Sequence, residues 1–387
     1  MSYPPEIEPT DLYPVPNLPP QPGAVSPEKV EALRQALTGL FTVVDTTLDF
    51  PHPGHVRFRG MFLCDTAVCF DELRARFEQH GFTPLLRHSQ VPNRTAVIAM
   101  PVVFDPPRSN PWVNLVLFLL TVLSTLFIGA TYEVQNAETF NDLLLQLWRG
   151  WPFSLSILLI LGAHELGHYF AARYHKVPVT LPYFIPMPFT IIGTMGAFIR
   201  LKAPVKNRRA LMDIGAAGPW AGMLFAVPIL LYGLATSEVG VPGGGYLEGN
   251  SILYALAKIV VFGRFLPSGG QDVLLNSVAW AGWVGTLVTG LNLIPLGQLD
   301  GGHVTYVLLG KQAKQLFWPF IIGLALLSFF TGSTTWLFWI VLLFFLGRGY
   351  AEPLDDVTEL DGKRRIWAVL TLILFILVFI PVPLTLT

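Results

Sequence analysis

From Pro111 onward the hydrophobic positions run together instead of alternating. Trp112–Ala130, Phe153–Ala172, Leu211–Leu234, Val273–Leu293, Leu316–Phe330, Trp336–Leu346 and Ile366–Ile380 are apolar segments parted by polar connections. Several match a ~30 Å hydrocarbon core at ~1.5 Å of rise per residue. The fifth and sixth are short and also fit one helical hairpin turning at Thr331-Gly332-Ser333. The pattern predicts a polytopic α-helical membrane region over residues 110–387, with about seven spans.

Before it the pattern changes. Residues 26–105 read as a small soluble α+β domain. Ser26-Pro27-Glu28 opens a helix with a capping side chain, a first-position proline and an early acid. Strand-like runs follow at Phe41–Phe50 and His55–Leu63; in the second, Val56, Phe58 and Gly60 alternate with Arg57 and Arg59. Asp71–His80 is an amphipathic helix with Leu73 and Phe77 on one face, closed by Gly81, and Thr95–Phe104 is a further strand. Asp105-Pro106-Pro107 ends the pattern. Residues 1–25 are proline-rich and read as a disordered or extended tail, without the basic start and apolar core of a secretory signal.

Composition agrees with the pattern. Of 387 residues, 52% are hydrophobic and 13% charged, about half the charge of a soluble domain. A soluble globular enzyme and a disordered chain are both disfavoured, and a net charge of −1 gives no sign of a nucleic-acid partner. The partner implied is the lipid bilayer. The sequence carries no signal for oligomeric state. Basic residues concentrate after the second span (Arg173, Lys176, Arg200, Lys202, Lys206, Arg208, Arg209), the fourth (Lys311, Lys314) and the sixth (Arg348, Lys363, Arg364, Arg365). These loops share one side, so the positive-inside rule makes the N-terminal domain cytoplasmic and sets the C-terminus opposite. Without an Arg- and Ser-rich start, the expected location is a bacterial plasma membrane.

Within the second span lies Ala163-His164-Glu165-Leu166-Gly167-His168. Histidines at i and i+4 share a helix face, about 6 Å apart along the axis, and two such imidazoles can hold one Zn²⁺. Glu165 beside them can take a proton from a water that the metal activates. Ionisable residues cost about 2.5–3.5 kcal/mol inside a span, so they need partners; a polar patch gluing helices together is the bland alternative. A zinc site of this kind wants a third protein ligand. The fourth span ends in Asn292-Leu293-Ile294-Pro295-Leu296-Gly297-Gln298-Leu299-Asp300-Gly301-Gly302-His303. Pro295 and Gly297 break the helix at membrane depth, which is tolerated only inside protein or facing water. Asp300, with flexible glycines after it, is the candidate ligand, and both motifs fall in the cytoplasmic half of the bilayer.

His-Glu-x-x-His paired with Asn-x-x-Pro-x-x-x-x-Asp-Gly resembles the site-2 protease family of intramembrane zinc metalloproteases, over about residues 110–385. The soluble domain, Gly193-Thr194-Met195-Gly196-Ala197 and Gly297–His303 resemble its plant and cyanobacterial EGY-like branch. The resemblance implies zinc held by His164, His168 and Asp300, Glu165 as general base, and Asn292 helping to hold substrate. It implies hydrolysis of peptide bonds in or near transmembrane helices of membrane-protein substrates, as in regulated intramembrane proteolysis. The connection at 235–271 is too short for the PDZ domain many relatives carry, and its apolar stretch Ile252–Phe262 reads as a membrane-surface or re-entrant helix. The readings weighed against this are a membrane zinc protease acting on other peptides, which usually takes a glutamate as third ligand, and a non-hydrolytic membrane zinc-binding or transport protein, which has no need of Glu165.

The remaining polar residues read more blandly. His303 is a second-shell or rival ligand set off from a rigid helix by glycines. His175 is a solvated cationic cap. Cys64 and Cys69 are packing residues rather than a metal pair or a disulfide framework. Val179–Lys202, broken by Pro182, Pro186, Pro188, Gly193 and Gly196, reads as a hairpin or re-entrant loop near the metal, its strand-like part at Thr194–Leu201. A free edge there, at Gly196, suits an unwound substrate added as an extra strand; a plain packed loop is the alternative.

Overall fold

The structure is a computed structural model that describes residues 25–89, 91–134, 139–243 and 245–386. The tail expected at 1–25 lies, up to residue 24, outside the described residues. The chain divides into two compact units.

The first unit is built on the described residues up to Pro107 and takes in Ala203–Leu211 and Ala351–Asp361. Helix α1 (Pro27–Ala36) starts where expected, the Ser26 hydroxyl accepting from Lys29 N–H. Strands β1 (Phe41–Leu48) and β2 (Val56–Phe62) pair antiparallel. Helix α2 (Thr66–Glu78) begins earlier than the apolar spacing indicated, because Asp65 caps it through Ala67 N–H. Strand β3 (Thr83–His88) escapes the sequence pattern because Pro84 reads as a breaker, yet it pairs with β4 (Thr95–Met100) along its length. The sheet order is β1-β2-β4-β3. Its apolar face packs α1 and α2 through Leu33, Leu37, Phe58, Phe70, Leu73, Phe77 and Val97. The far edge of β3 does not stay open: Leu86 N–H donates to Leu354 O at 2.8 Å, and Leu354 N–H to Val205 O at 2.9 Å. Two segments distant in sequence thus extend the sheet. Cys69 packs in this core as expected, but the structure joins it to Cys64, at a Cα–Cα distance of 6.4 Å.

The second unit is helical. Four helical stretches, Pro111–Glu133, Leu147–Tyr174, Arg208–Ala235 and Asp300–Thr331, are long and apolar enough to cross a membrane, and Ile252–Phe262 and Thr335–Phe345 are shorter apolar helices. The chain is a multi-pass membrane protein. Helices α3 (Pro111–Glu133), α4 (Phe140–Leu145), α5 (Trp151–Tyr174), α6 (Arg208–Ala235), α7 (Ile252–Phe262) and α8 (Ser277–Asn292) are followed by α9 (Asp300–Leu309), α10 (Phe317–Thr331), α11 (Thr335–Leu346) and α12 (Gly362–Val378). Polar side chains join neighbours inside the apolar packing: Thr125 Oγ1 lies 2.7 Å from Ser154 Oγ, between α3 and α5.

After α5 the chain forms the expected hairpin, β5 (Tyr183–Pro186) against β6 (Thr194–Phe198). Helix α3 anchors it: Asn114 Nδ2 donates to Leu181 O and Pro182 O, and Ser124 Oγ to Gly193 O. His175, at the end of α5, is not a solvated cap. Its Nε2 lies 2.8 Å from Asp213 of α6, a carboxylate that also accepts from Arg364. Between α6 and α8 lie β7 (Glu238–Gly240), β8 (Tyr246–Glu248), α7 and β9 (Asp272–Leu274), and β10 (Leu384–Leu386) returns to pair with β8.

Candidate metal centre

Helix α5 presents His164, Glu165 and His168, at 4%, 6% and 7% exposure, inside the helical unit. Helix α8 ends at Asn292. The chain then turns through Pro295 and Gly297, the latter at φ +58°, and restarts as α9 with Asp300 as its first residue. A carboxylate is favoured at that end of a helix. Gly301 and Gly302 are not flexible spacers, since both lie inside α9. A Cβ on Gly301 would meet Leu293 O at 1.9 Å, and one on Gly302 would meet Gly297 O at 2.3 Å. They let the first turn of α9 press against the broken backbone, and so carry Asp300 to the histidines.

The three donors converge. His164 Nε2 lies 3.2 Å from Asp300 Oδ2, His168 Nε2 3.3 Å from Asp300 Oδ1, and the two Nε2 atoms 3.1 Å apart. Ligands at ~2.0–2.1 Å from a tetrahedral Zn²⁺ stand about 3.3 Å from one another, and the two imidazole nitrogens, and each nitrogen with its nearer carboxylate oxygen, stand at close to that spacing. The tautomer fits as well: His168 Nδ1–H donates to Ile214 O at 2.7 Å, leaving Nε2 as an electron-pair donor. Two imidazoles and one carboxylate suit zinc, and together they form a metal-binding group among the described residues.

Asn292 and Glu165 flank this group. Asn292 Nδ2 is 3.4 Å from His164 Nε2. Glu165 shares with the three donors a cavity of about 230 Å³ also lined by Ala197, Phe198 and Ile199, which brings β6 and the residue after it to the site. Gly196 itself does not line the cavity. It holds φ +100° with open space where a Cβ would be, so Gly196→Val strains the backbone as well as adding bulk.

Sequence reasoning missed the partner wall. Gly215, Gly218 and Gly222 form one face of α6. A Cβ at Gly218 would lie 2.1 Å from His168 Nε2, one at Gly222 3.2 Å from His164 Cβ, and one at Gly215 3.0 Å from His303 Cβ. The three-and-four spacing in the third apolar segment was the available signal, the mark of a helix face that admits a close neighbour.

Comparison with known proteins agrees with this geometry. Residues 152–330 match the model of peptidase family M50. The chain is 31% identical over 373 residues to the Arabidopsis thaliana protein "Probable zinc metalloprotease EGY2, chloroplastic", an overlap of 93% of this chain and 66% of that one. It is 30% identical to the same plant's "Probable zinc metalloprotease EGY1, chloroplastic" over 72% of this chain and 55% of the relative. With the Oryza sativa subsp. japonica "Probable zinc metalloprotease EGY3, chloroplastic" it shares 25% identity over 70% of this chain and 49% of the relative. The chain thus spans 66% or less of the length of these relatives. No solved structure matches.

Proposed function

Because this chain belongs to peptidase family M50, the site-2 protease family, we propose that it is an intramembrane zinc metalloendopeptidase. Its substrates on this reading are membrane proteins, cut in or near a transmembrane helix. The observation that carries the proposal is the convergence of His164, His168 and Asp300 at tetrahedral edge distances, with buried Glu165 beside them. His164, His168 and Asp300 would hold the zinc. The chemistry zinc supplies to such a site is polarisation of a carbonyl and acidification of water. Glu165 takes the proton from the attacking water and hands it to the leaving amine nitrogen. Ile214 O keeps His168 in the tautomer that binds through Nε2, and Asn292 helps hold the substrate. Burial of His164, Glu165 and His168 limits the bulk water that reaches them.

Helical peptide bonds are shielded by their own hydrogen bonds, so the substrate must unwind locally. The edge of β6 around Gly196 would receive it as an added strand, a reading supported by Ala197, Phe198 and Ile199 in the cavity wall. We further assign about seven spans, residues 26–105 as a cytoplasmic domain, residues 110–387 as the protease domain, and a bacterial plasma membrane as the location. The basic loops support this orientation.

Purified protein is expected to carry about one zinc per chain and to cleave a single-span model substrate. Chelation should abolish cleavage, and added Zn²⁺ should restore it. Cleavage that persists after the zinc is gone would exclude the proposal.

A further inference from the structure

His303 lies in the wall of the cavity that holds Glu165, Asn292 and Asp300, but it is outside the metal-binding group. It stands three residues after Asp300 on α9, so the two share a helix face. The close approach of Gly215 to His303 Cβ seats this residue between α9 and α6. Its Nδ1 is enclosed and has no hydrogen-bond partner. With no acceptor beside Nδ1, the neutral ring carries its proton on Nε2, the nitrogen left to meet the cavity.

Peptide hydrolysis places negative charge on the carbonyl oxygen, which N–H donors stabilise best when they are fixed in advance and shielded from water. Among the side chains that line the cavity, such donors are few. Glu165 and Asp300 offer carboxylate oxygens, and Gln298 is an exposed amide. Asn292 Nδ2 already lies against His164. The imidazole of His303 combines a donor with a seat between two helices.

We propose that His303 is a further catalytic residue, donating an N–H hydrogen bond to the scissile carbonyl oxygen as charge develops there. This rests on the protease reading. The water oxygen bonds to the carbonyl carbon, the C–N bond breaks, and the water's proton passes through Glu165 to the leaving nitrogen. His303 keeps its own proton throughout.

The test compares purified full-length wild type, His303→Phe and His303→Gln on a single-span substrate. It reads kcat and KM separately, bound zinc, and the Kd of a phosphinic peptide. His303→Phe keeps the ring bulk and loses the donor, whereas His303→Gln keeps a donor. Zinc content should be unchanged in both. The phenylalanine variant should lose about 10²–10³-fold in kcat, with KM nearly constant and phosphinate affinity falling in step. The glutamine variant should recover about tenfold or more of that loss. If the phenylalanine variant fails to accumulate, His303→Asn, whose amide is too short to reach, takes its place with the same expectation. A kcat within about twofold of wild type, a change in KM alone, or a parallel loss of zinc overturns the assignment. Wild type that binds zinc but cleaves nothing overturns the protease reading, and this role with it.

Discussion

A hydrogen atom in place of a methyl group at position 218 is what lets His168 stand where it does. A Cβ there would lie 2.1 Å from Nε2, the atom that faces the other two donors. Gly218→Ala is therefore expected to lose most bound zinc and, with it, all cleavage. Gly222→Ala, whose Cβ has 3.2 Å of room, should keep part of both. Gly162→Ala, on the helix that carries the histidines but facing open space, is the control that should match wild type, with metal content measured for all three. At this scale the histidines and Asp300 were legible because a metal site writes itself as donor types at fixed spacing. Gly218 was not, because a glycine's meaning depends on what another helix presses against it. His175 failed for a related reason: its partner, Asp213, is 38 residues away in sequence.

Elements were legible where their own residues determine them. Helix α7 falls on the expected Ile252–Phe262, and the hairpin of β5 and β6 lies within the expected Val179–Lys202. Strand β3 and helix α9 depend on neighbours. Pro84 and the paired glycines read as breakers until the pairing with β4 and the packing against Leu293–Gly297 are known. Helix α7 also holds a cluster that composition does not announce. Lys258, fully buried, lies 2.9 Å from Asp272 and 3.4 Å from Glu248, while Tyr254 donates to Glu248. One ammonium thus faces two carboxylates. Burial raises the Glu248 carboxyl above its ordinary value, and Lys258 only partly offsets this. A carboxyl raised on folding contributes stability below its unfolded pKa, and that contribution is lost as pH rises through the folded pKa. Glu248→Gln keeps an acceptor for Tyr254 and removes the second negative charge. The melting temperature of Glu248→Gln relative to wild type should therefore climb as pH rises from the ordinary carboxylate range to neutrality. A relative fall would mean that attraction to Lys258 outweighs burial.

Over the whole molecule, the low charge and the runs of apolar residues were enough to identify a multi-pass membrane protein, because the bilayer constrains segment length and composition directly. Span boundaries were less legible. Asp300–Thr331 forms one helical stretch long enough to cross, although Lys311 and Lys314 mark a polar connection in the sequence; a 3₁₀ segment, Gly310–Leu316, carries the backbone through it. The extension of the β3 edge by residues near 205 and 354 was out of reach too, since nothing local pairs segments so far apart. The central proposal is that His164 and His168 of α5 and Asp300 of α9 hold a zinc beside Glu165 as general base, and that this gives the chain protease activity. The most direct measurement is cleavage of a single-span substrate by wild type and Glu165→Gln, with zinc quantified in both. The account predicts equal zinc and a rate lower by about 10²–10⁴-fold in the variant. Undiminished cleavage by Glu165→Gln would contradict it.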